Sequence, residues 1–376
     1  MKILIVGAGI AGLLMYRELQ RQGIEADLIE KQPALNNLGA GICLPGNAMK
    51  QLEVLGLKHA ILAKAYQVKE VRFETHQREL LAKASLNEGV LASQPFVALT
   101  RSDLIEVLAD GISQHIQFCR SIVDIRNNNT TQSVCFNDGA VVDYDLIIGA
   151  DGINSSVREL QFAEPDLTDL EVTHWRFLVD MPSENLEPSY LVGNTDAFMF
   201  YPISKQQVYC YGQAANQQIN ALYSDPKKSM RAVFSHYHPS VVKAIESATV
   251  INQGRLRAVM SKEVYNKRCV LIGDALHGCP PSLQQGVAQA LSDVLTLSRC
   301  LKNAYSIDMA LADFKSKRLK QITWVVSESN KIIRLAKLGK SRFGRFIRNS
   351  LIRLQGPQNV KAWRKLMTEL EANKCN

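Results

Sequence analysis

Three glycines and one carboxylate near the N-terminus could do chemistry together. Gly7, Gly9 and Gly12 stand in Gly7-Ala8-Gly9-Ile10-Ala11-Gly12, directly after the apolar run Ile3-Leu4-Ile5-Val6. In such a loop the first glycine permits a tight turn and the second lets the backbone approach a pyrophosphate. The third lets a helix pack closely on its strand, and the free N–H groups at the helix start face the phosphates. Glu30 closes the next apolar run, Ala26 to Glu30, about twenty residues beyond the loop, where a carboxylate can accept hydrogen bonds from ribose hydroxyls. A nucleotide cofactor is the chemistry this spacing serves. Glu30 would repel a 2′-phosphate in the same site.

Further along, Asp274 follows the apolar run Cys269 to Ile272, so its carboxylate is expected at a strand's carboxyl end, where open α/β sheets bind ligands. Asp151-Gly152 ends a second buried run, Val141 to Ala150, and Arg101 precedes a helical pattern over Asp103 to Ser113 with Ser102 or its neighbour as cap. The eight cysteines (Cys43, Cys119, Cys135, Cys210, Cys269, Cys279, Cys300, Cys375) are scattered without a CxxC pair, so no metal site and no disulfide framework is expected. They read as reduced thiols, and a cytoplasmic location is expected.

The elements that must position these residues follow from periodicity. Residues 2 to 6, the helical repeat from Leu13 to Gln22 and the run 26 to 30 make a β-α-β unit. Short strands are expected between Ile116 and Phe136 around a polar turn at Asn127 to Asn129. From about 165 to 265 the pattern changes to alternating strands with aromatics. Cys269 to Asp274 then returns to the nucleotide-domain pattern, and Gly286 to Leu301 reads as a long buried helix. With 376 residues, 46% apolar and 21% charged, two joined domains are expected rather than disorder or a stapled scaffold. The apolar run after Met1 lacks the features of a signal peptide, and no stretch reaches the roughly 18 uninterrupted apolar residues of a membrane span.

These motifs together resemble the FAD-dependent aromatic hydroxylases, the single-component, group A flavoprotein monooxygenases that include salicylate, urate and alkylquinolone hydroxylases. The marks are GAGIAG at Gly7, GAGICLPGNA from Gly39, TRSDL around Arg101, GADGINSSVR from Gly149 and GDALHGCPPSLQQG from Gly273, in the family order. The resemblance implies an α/β fold. A discontinuous Rossmann-like FAD-binding domain would span 1–165 and 266–325, a β-sheet-rich substrate domain 166–265, and a basic helical C-terminal segment 326–376. It implies FAD contacts from Ile10, Ala11 and Lys31 beside the glycine loop and Glu30, from Cys43, from Arg101 to the phosphates and from the backbone near Ile122. Asp151 would serve FAD and NAD(P)H together, Asp274 would bond the ribityl chain, and Gly286 and Val287 would begin a helix whose dipole faces the flavin. Arg158 would hold its loop through carbonyls. In the family, NADH or NADPH reduces the flavin transiently and reduced flavin takes up O2 as a C4a-hydroperoxide, so no catalytic triad is expected.

One departure stands out: where the family has Gly-Gln-Gly, this chain has Gln284-Gln285-Gly286, and a side chain at 284 would crowd the flavin edge or the oxygen site unless the loop shifts. A non-oxygenating FAD oxidoreductase and a flavin-binding protein without turnover therefore stay open as alternatives. Substrate candidates are Trp175, Tyr201 and Tyr211, each equally readable as core packing, and Pro281, which with Pro280 stiffens the loop. His277 reads as an acid/base group or a structural histidine. The sheet-rich region shows no obvious arginine pair for a dianion, which favours an apolar aromatic or heteroaromatic substrate.

The formal charge of +8 is concentrated: Asn330 to Met367 holds eleven Lys and Arg and no acid, and without those eleven the chain has 33 basic against 36 acidic residues. Apolar residues between Lys331 and Leu354 alternate with these cations in helical fashion, interrupted at Gly339 and Gly344. Such a helix packs on the body with a solvated basic face, or makes peripheral contact with an anionic membrane. Nucleic-acid binding is not expected, because the rest of the chain is not basic.

Overall fold

The computed structural model describes residues 1–35, 41–128, 130–162, 167–183, 186–218 and 225–372. Asn129 of the expected polar turn, Gly39 and Ala40 of the second motif, the 165/166 boundary and Cys375 lie outside the described residues.

The strand Ile3–Val6 is buried at all four positions because it sits inside a six-stranded sheet with neighbours on both sides. It pairs in parallel with Leu146–Gly149 and Ala26–Ile29; Cys269–Leu271 and Ile116–Gln117 extend the parallel array, and Tyr265–Asn266 closes one edge antiparallel. Continuous apolar strands are what a sheet covered on both faces demands. The expected strand from Val141 to Ala150 is in fact two. Val141–Tyr144 joins a small antiparallel sheet with Gln132–Phe136 and Ile122–Asn127, and the chain re-enters the main sheet only after Asp145, whose carboxylate accepts the Lys2 N–H at 2.6 Å. The first helix starts at Ile10 rather than Leu13, since the glycine loop turns directly into it. The helix after Arg101 spans Arg101–Ala109, not 103–113. Its cap is Thr100, which accepts the Asp103 N–H, and the chain leaves it through Gly111 at φ +72°.

A second, seven-stranded sheet lies over the carboxyl ends of the first, in the order Asn252–Val259, Leu167–Asp180, Gln207–Ala215, Asp196–Pro202, Ser189–Val192, Glu70–Thr75, Leu80–Ser85. Its last two strands come from well upstream of residue 166. Successive side chains on a strand face opposite ways. Trp175 and Phe177 therefore pack with Phe198 and Phe200 under two short helices, Pro226–Phe234 and Pro239–Ser247, while His174 and Arg176 face the other way, into a cavity.

The helix Gly286–Asn303 runs beside the glycine-loop helix and is followed by a 31-residue helix, Ile307–Lys337. The chain turns at Gly339, where a Cβ would come within 1.6 Å of the Asn194 carbonyl oxygen. Only Gly339 interrupts. Gly344, expected as a second break, lies inside the basic helix Arg342–Gln355, whose cap Ser341 accepts the Gly344 N–H at 2.9 Å. The last helix, Gln358–Ala372, buries Trp363, whose indole N–H donates to the Leu283 carbonyl at 2.8 Å. Among the described residues no helix is long and apolar enough to cross a membrane.

Candidate functional site

A cavity of about 930 Å³ lies between the carboxyl ends of the parallel strands and the inner face of the seven-stranded sheet. That is near the upper end of the usual size for a small-molecule site. Its floor is the glycine loop. Gly7 holds φ +97°, and a Cβ there would stand 2.8 Å from the Asp151 Cα; at Gly12 a Cβ would fall 1.8 Å from the Gly7 carbonyl oxygen. At Gly9 a Cβ would meet nothing within 4 Å, so this stretch of backbone faces open space. Gly9, Ile10 and Ala11 line the cavity, and the helix that begins there has no side-chain cap, which leaves its first N–H groups without a side-chain acceptor. Glu30 accepts the Ala8 N–H at 3.0 Å and the Gln32 N–H at 2.9 Å; neither it nor Lys31 is in the cavity wall.

Asp274 lines the cavity at the end of Cys269–Leu271. The turn before it is held from behind by Asp293, fully buried on the helix Gly286–Asn303. Its carboxylate accepts the Gly273 N–H at 2.9 Å, His277 Nε2 at 2.6 Å and Arg318 Nε at 2.8 Å. Burial alone would raise the Asp293 carboxyl, yet His277 and Arg318 hold it below the usual range. His277 is buried in this network, bonded to Asp293, and is not among the residues that line the cavity. Asp293 and Arg318 belong to no local motif in the sequence. Their signal was a carboxylate on the apolar face of a buried helix, which must find a partner.

Gly286 and Val287 line the cavity where their helix begins, again without a side-chain cap, and a Cβ at Gly286 would meet nothing within 4 Å. The Gln285 side chain is instead engaged with Asn47, at 2.8 Å and 3.2 Å, which fixes the helix start. Gln284 adopts φ +55°, the left-handed region where glycine is at ease. Its side chain turns away from this helix start: Nε2 donates to the Tyr190 hydroxyl at 2.8 Å, and Tyr190 and Tyr201 share a hydrogen bond at 2.7 Å. Gln284 thus remains part of the cavity lining, held against Tyr190.

Asp151 lies behind the cavity wall, accepting the Ser156 and Val157 N–H groups at 2.6 and 3.2 Å, while burial pushes its carboxyl up. Gly152 lines the wall at φ +78°. Arg158 donates to the carbonyls of Ala275 and Ile153. Ile122 is buried in the small antiparallel sheet, away from the cavity. Cys43 lines the cavity, and burial pushes its thiol up.

Arg101 lines the cavity with Arg176, close enough that, after burial, the Arg176 charge lowers its pKa while Asp274 raises it. Arg255 and Arg257 line it as well. The expectation of no arginine pair is corrected here: Arg255 and Arg257 stand two apart on the strand Asn252–Val259, and Arg176 joins them from the adjacent strand Leu167–Asp180. Of the substrate candidates, Tyr211 and Pro281 line the cavity. Trp175 does not: it faces the two short helices, and its indole N–H donates to Gln253 at 2.7 Å. Tyr201 is fully buried one layer behind Tyr190. The aromatic wall is made by Tyr209, Tyr211 and the stacked pair Phe73 and Tyr190, 4.5 Å between ring centres, with the Met199 thioether beside them. Phe73 lies far upstream of the 166 boundary, on the strand Glu70–Thr75.

Comparison with known proteins adds to this geometry. The family described as FAD binding domain matches residues 1–329. The chain is 30% identical over 370 residues to 2-heptyl-3-hydroxy-4(1H)-quinolone synthase of Pseudomonas aeruginosa, covering 94% of each chain. It is 28% identical to aurachin C monooxygenase/isomerase of Stigmatella aurantiaca, covering 96% of each. The fold is that of Klebsiella pneumoniae HpxO, solved with FAD and uric acid, at a TM-score of 0.87 over 98% of this chain and 97% of that one, with 21% identity.

Proposed function

For a chain that belongs to the FAD binding domain family and is an FAD-dependent monooxygenase of aromatic compounds, we propose that the substrate is a lipophilic heteroaromatic ring bound against the Phe73–Tyr190 face. The observation that carries this reading is the continuity of one cavity from the uncapped glycine loop to that aromatic wall.

The donor set fits FAD. Open space at Gly9 and Gly286, two uncapped helix starts and the Arg101 guanidinium suit a diphosphate and an electron-rich ring, and Asp274 suits a polyol. We assign the diphosphate to the N–H groups of Gly9 to Gly12 and to Arg101. The adenosine ribose goes to Glu30, with Lys31 and the Ile122 backbone nearby, the ribityl chain to Asp274, and the ring to Gly286, Val287 and Cys43. Asp151 supports the adjoining loop from behind. Bound FAD supplies hydride acceptance and O2 activation, converting substrate, NAD(P)H, O2 and a proton to hydroxylated product, NAD(P)⁺ and water.

The protein's own part is to bind, orient and exclude water. Tyr209, Tyr211 and the stacked Phe73 and Tyr190 offer flat apolar contact, and Pro280 and Pro281 stiffen the loop between substrate and cofactor. Gln284, engaged with Tyr190, offers Oε1, which has no partner among the described residues, to a ring N–H or hydroxyl. Support for a heteroaromatic ring comes from the quinolone named in one relative. NADH or NADPH acts as a transient reductant reaching the cavity from solution, and the arginines at its wall suit that anion. We assign 1–69, 86–165 and 266–325 to flavin binding, and 166–265 together with the strands from 70 to 85 to the substrate. The basic segment 326–376 contacts a membrane periphery, and the described cysteines, all free thiols, suit a reducing cytoplasm.

The test is a yellow purified protein whose NAD(P)H oxidation is stimulated by one member of a panel of quinolones, phenols and related rings. Oxidation that no ring stimulates would count against the assignment.

A further inference from the structure

We propose that the helix Arg342–Gln355 docks the protein on an anionic lipid bilayer by inserting a fixed apolar stripe. Phe343, Phe346, Ile347 and Leu354 recur at helical spacing on one face and are 72%, 66%, 37% and 84% exposed. An ordinary surface helix turns such a stripe toward the core. Here the opposite face is the buried one. Gly344 packs so tightly that a Cβ would reach 2.0 Å from the Leu338 carbonyl oxygen, and the buried Arg348 donates to the Gly193 and Asn194 carbonyls at 2.7 and 2.9 Å. The helix is therefore clamped with its aromatic face outward. Contiguous exposed apolar surface of this kind marks an interaction site.

Charge identifies the occupant. Lys337, Lys340, Arg342 and Arg353 are exposed around the stripe, and none is ion-paired with an acid among the described residues. The surrounding segment 330–367 contains eleven cations and no acid. A second copy would bring the same cations against these and find no acid in the segment to pair with. An anionic bilayer surface accepts both features at once, aromatic insertion at the headgroup boundary and cations among the phosphates. Because no described helix is long and apolar enough to span, the contact is peripheral.

The same helix also walls the cavity. Arg348 and Ile352 line it from this helix, and Ile332, Leu335 and Ala336 line it from the preceding one. A single helix, about 10 Å thick, thus separates lipid from the site. Resting on the proposed lipophilic substrate, this gives the ring a short path from the bilayer to the aromatic wall.

Sedimentation of the FAD-loaded full chain with phosphatidylcholine vesicles, with and without phosphatidylglycerol, at low and high salt, tests the docking without turnover. The expected result is binding to the phosphatidylglycerol vesicles that high salt weakens. Phe343→Ser/Phe346→Ser and, separately, Arg342→Glu/Arg353→Glu should each weaken it about tenfold or more, with unchanged flavin spectrum and thermal midpoint. Absence of wild-type binding would overturn the proposal. So would binding that both double variants retain, or a dimer that Phe343→Ser/Phe346→Ser dissociates in the absence of vesicle binding. Loss of vesicle binding with turnover intact in detergent would leave the monooxygenase reading standing, so the two fail separately.

Discussion

Replacing Asp293 by alanine tests whether a buried ion network positions Asp274. The substitution removes the acceptor for the Gly273 N–H, His277 and Arg318 in one step. Arg318 keeps its bond to Gln289 Oε1 at 2.9 Å, but its charge, buried at 4% side-chain exposure, loses its counter-ion. Breaking a buried pair from one side costs about 3–5 kcal/mol. The orphaned Gly273 N–H overlaps with that loss rather than adding its full roughly 1–3 kcal/mol, because the three donors share one carboxylate. Set against a total stability of about 5–15 kcal/mol, this loss lowers the melting midpoint by roughly 6–10 °C at about 2 °C per kcal/mol. Since Gly273 holds φ +58° immediately before Asp274, FAD affinity should fall as well. Asp293→Asn, which keeps one acceptor oxygen, should recover part of both losses. Urea unfolding of the cofactor-free protein and flavin fluorescence titration read the two effects. A midpoint change worth under about 1 kcal/mol, or full stability loss with FAD affinity unchanged, would refute the positioning argument.

Gly9→Ala and Gly12→Ala should separate cofactor space from packing: the first should leave the cofactor-free melting midpoint unchanged while FAD is lost, because a Cβ at Gly9 meets only open space. The second should lower the midpoint even without FAD, its Cβ falling 1.8 Å from the Gly7 carbonyl oxygen. Gln284→Gly relieves left-handed strain worth about 1 kcal/mol and loses one hydrogen bond of similar size, so its melting midpoint should barely move while KM for the aromatic substrate rises. An unchanged KM would remove Gln284 from the substrate wall. Burial, reinforced by Arg176, pushes the His174 imidazole down to about 4. Between that value and its ordinary one of about 6.5 the unfolded chain binds the extra proton, so stability should fall by roughly 2 kcal/mol as pH drops through this window, allowing for partial exposure. His174→Gln should flatten that part of a pH–stability curve.

Much of the fold and the near half of the site were legible because they are local. The glycine loop, the Asp274 strand end and the start of the helix at Gly286 are each written in a few consecutive residues whose backbone needs are specific. What failed was long-range or depended on parity. Trp175 and Arg176 are neighbours, and only the register of the strand tells which faces the cavity; aromatic character pointed to the wrong one. Phe73 reaches the site because Glu70–Thr75 pairs in parallel with Ser189–Val192, a join across more than a hundred residues with no local mark. Asp293 and Arg318 meet between two helices for the same reason. Gly344 is an exception of local origin: glycine disfavours helix interiors, but the helix folds back on the turn just before it, and the Leu338 carbonyl oxygen leaves no room for a Cβ at 344.

The most direct test of the central claim is the mass of the product formed by the FAD-loaded protein from a heteroaromatic ring, NAD(P)H and isotopically labelled O2. The account expects a product heavier by one oxygen atom that carries the label, formed in step with NAD(P)H oxidation. A flavin that NAD(P)H reduces and O2 reoxidises, with no labelled product from any ring in the panel, would contradict it.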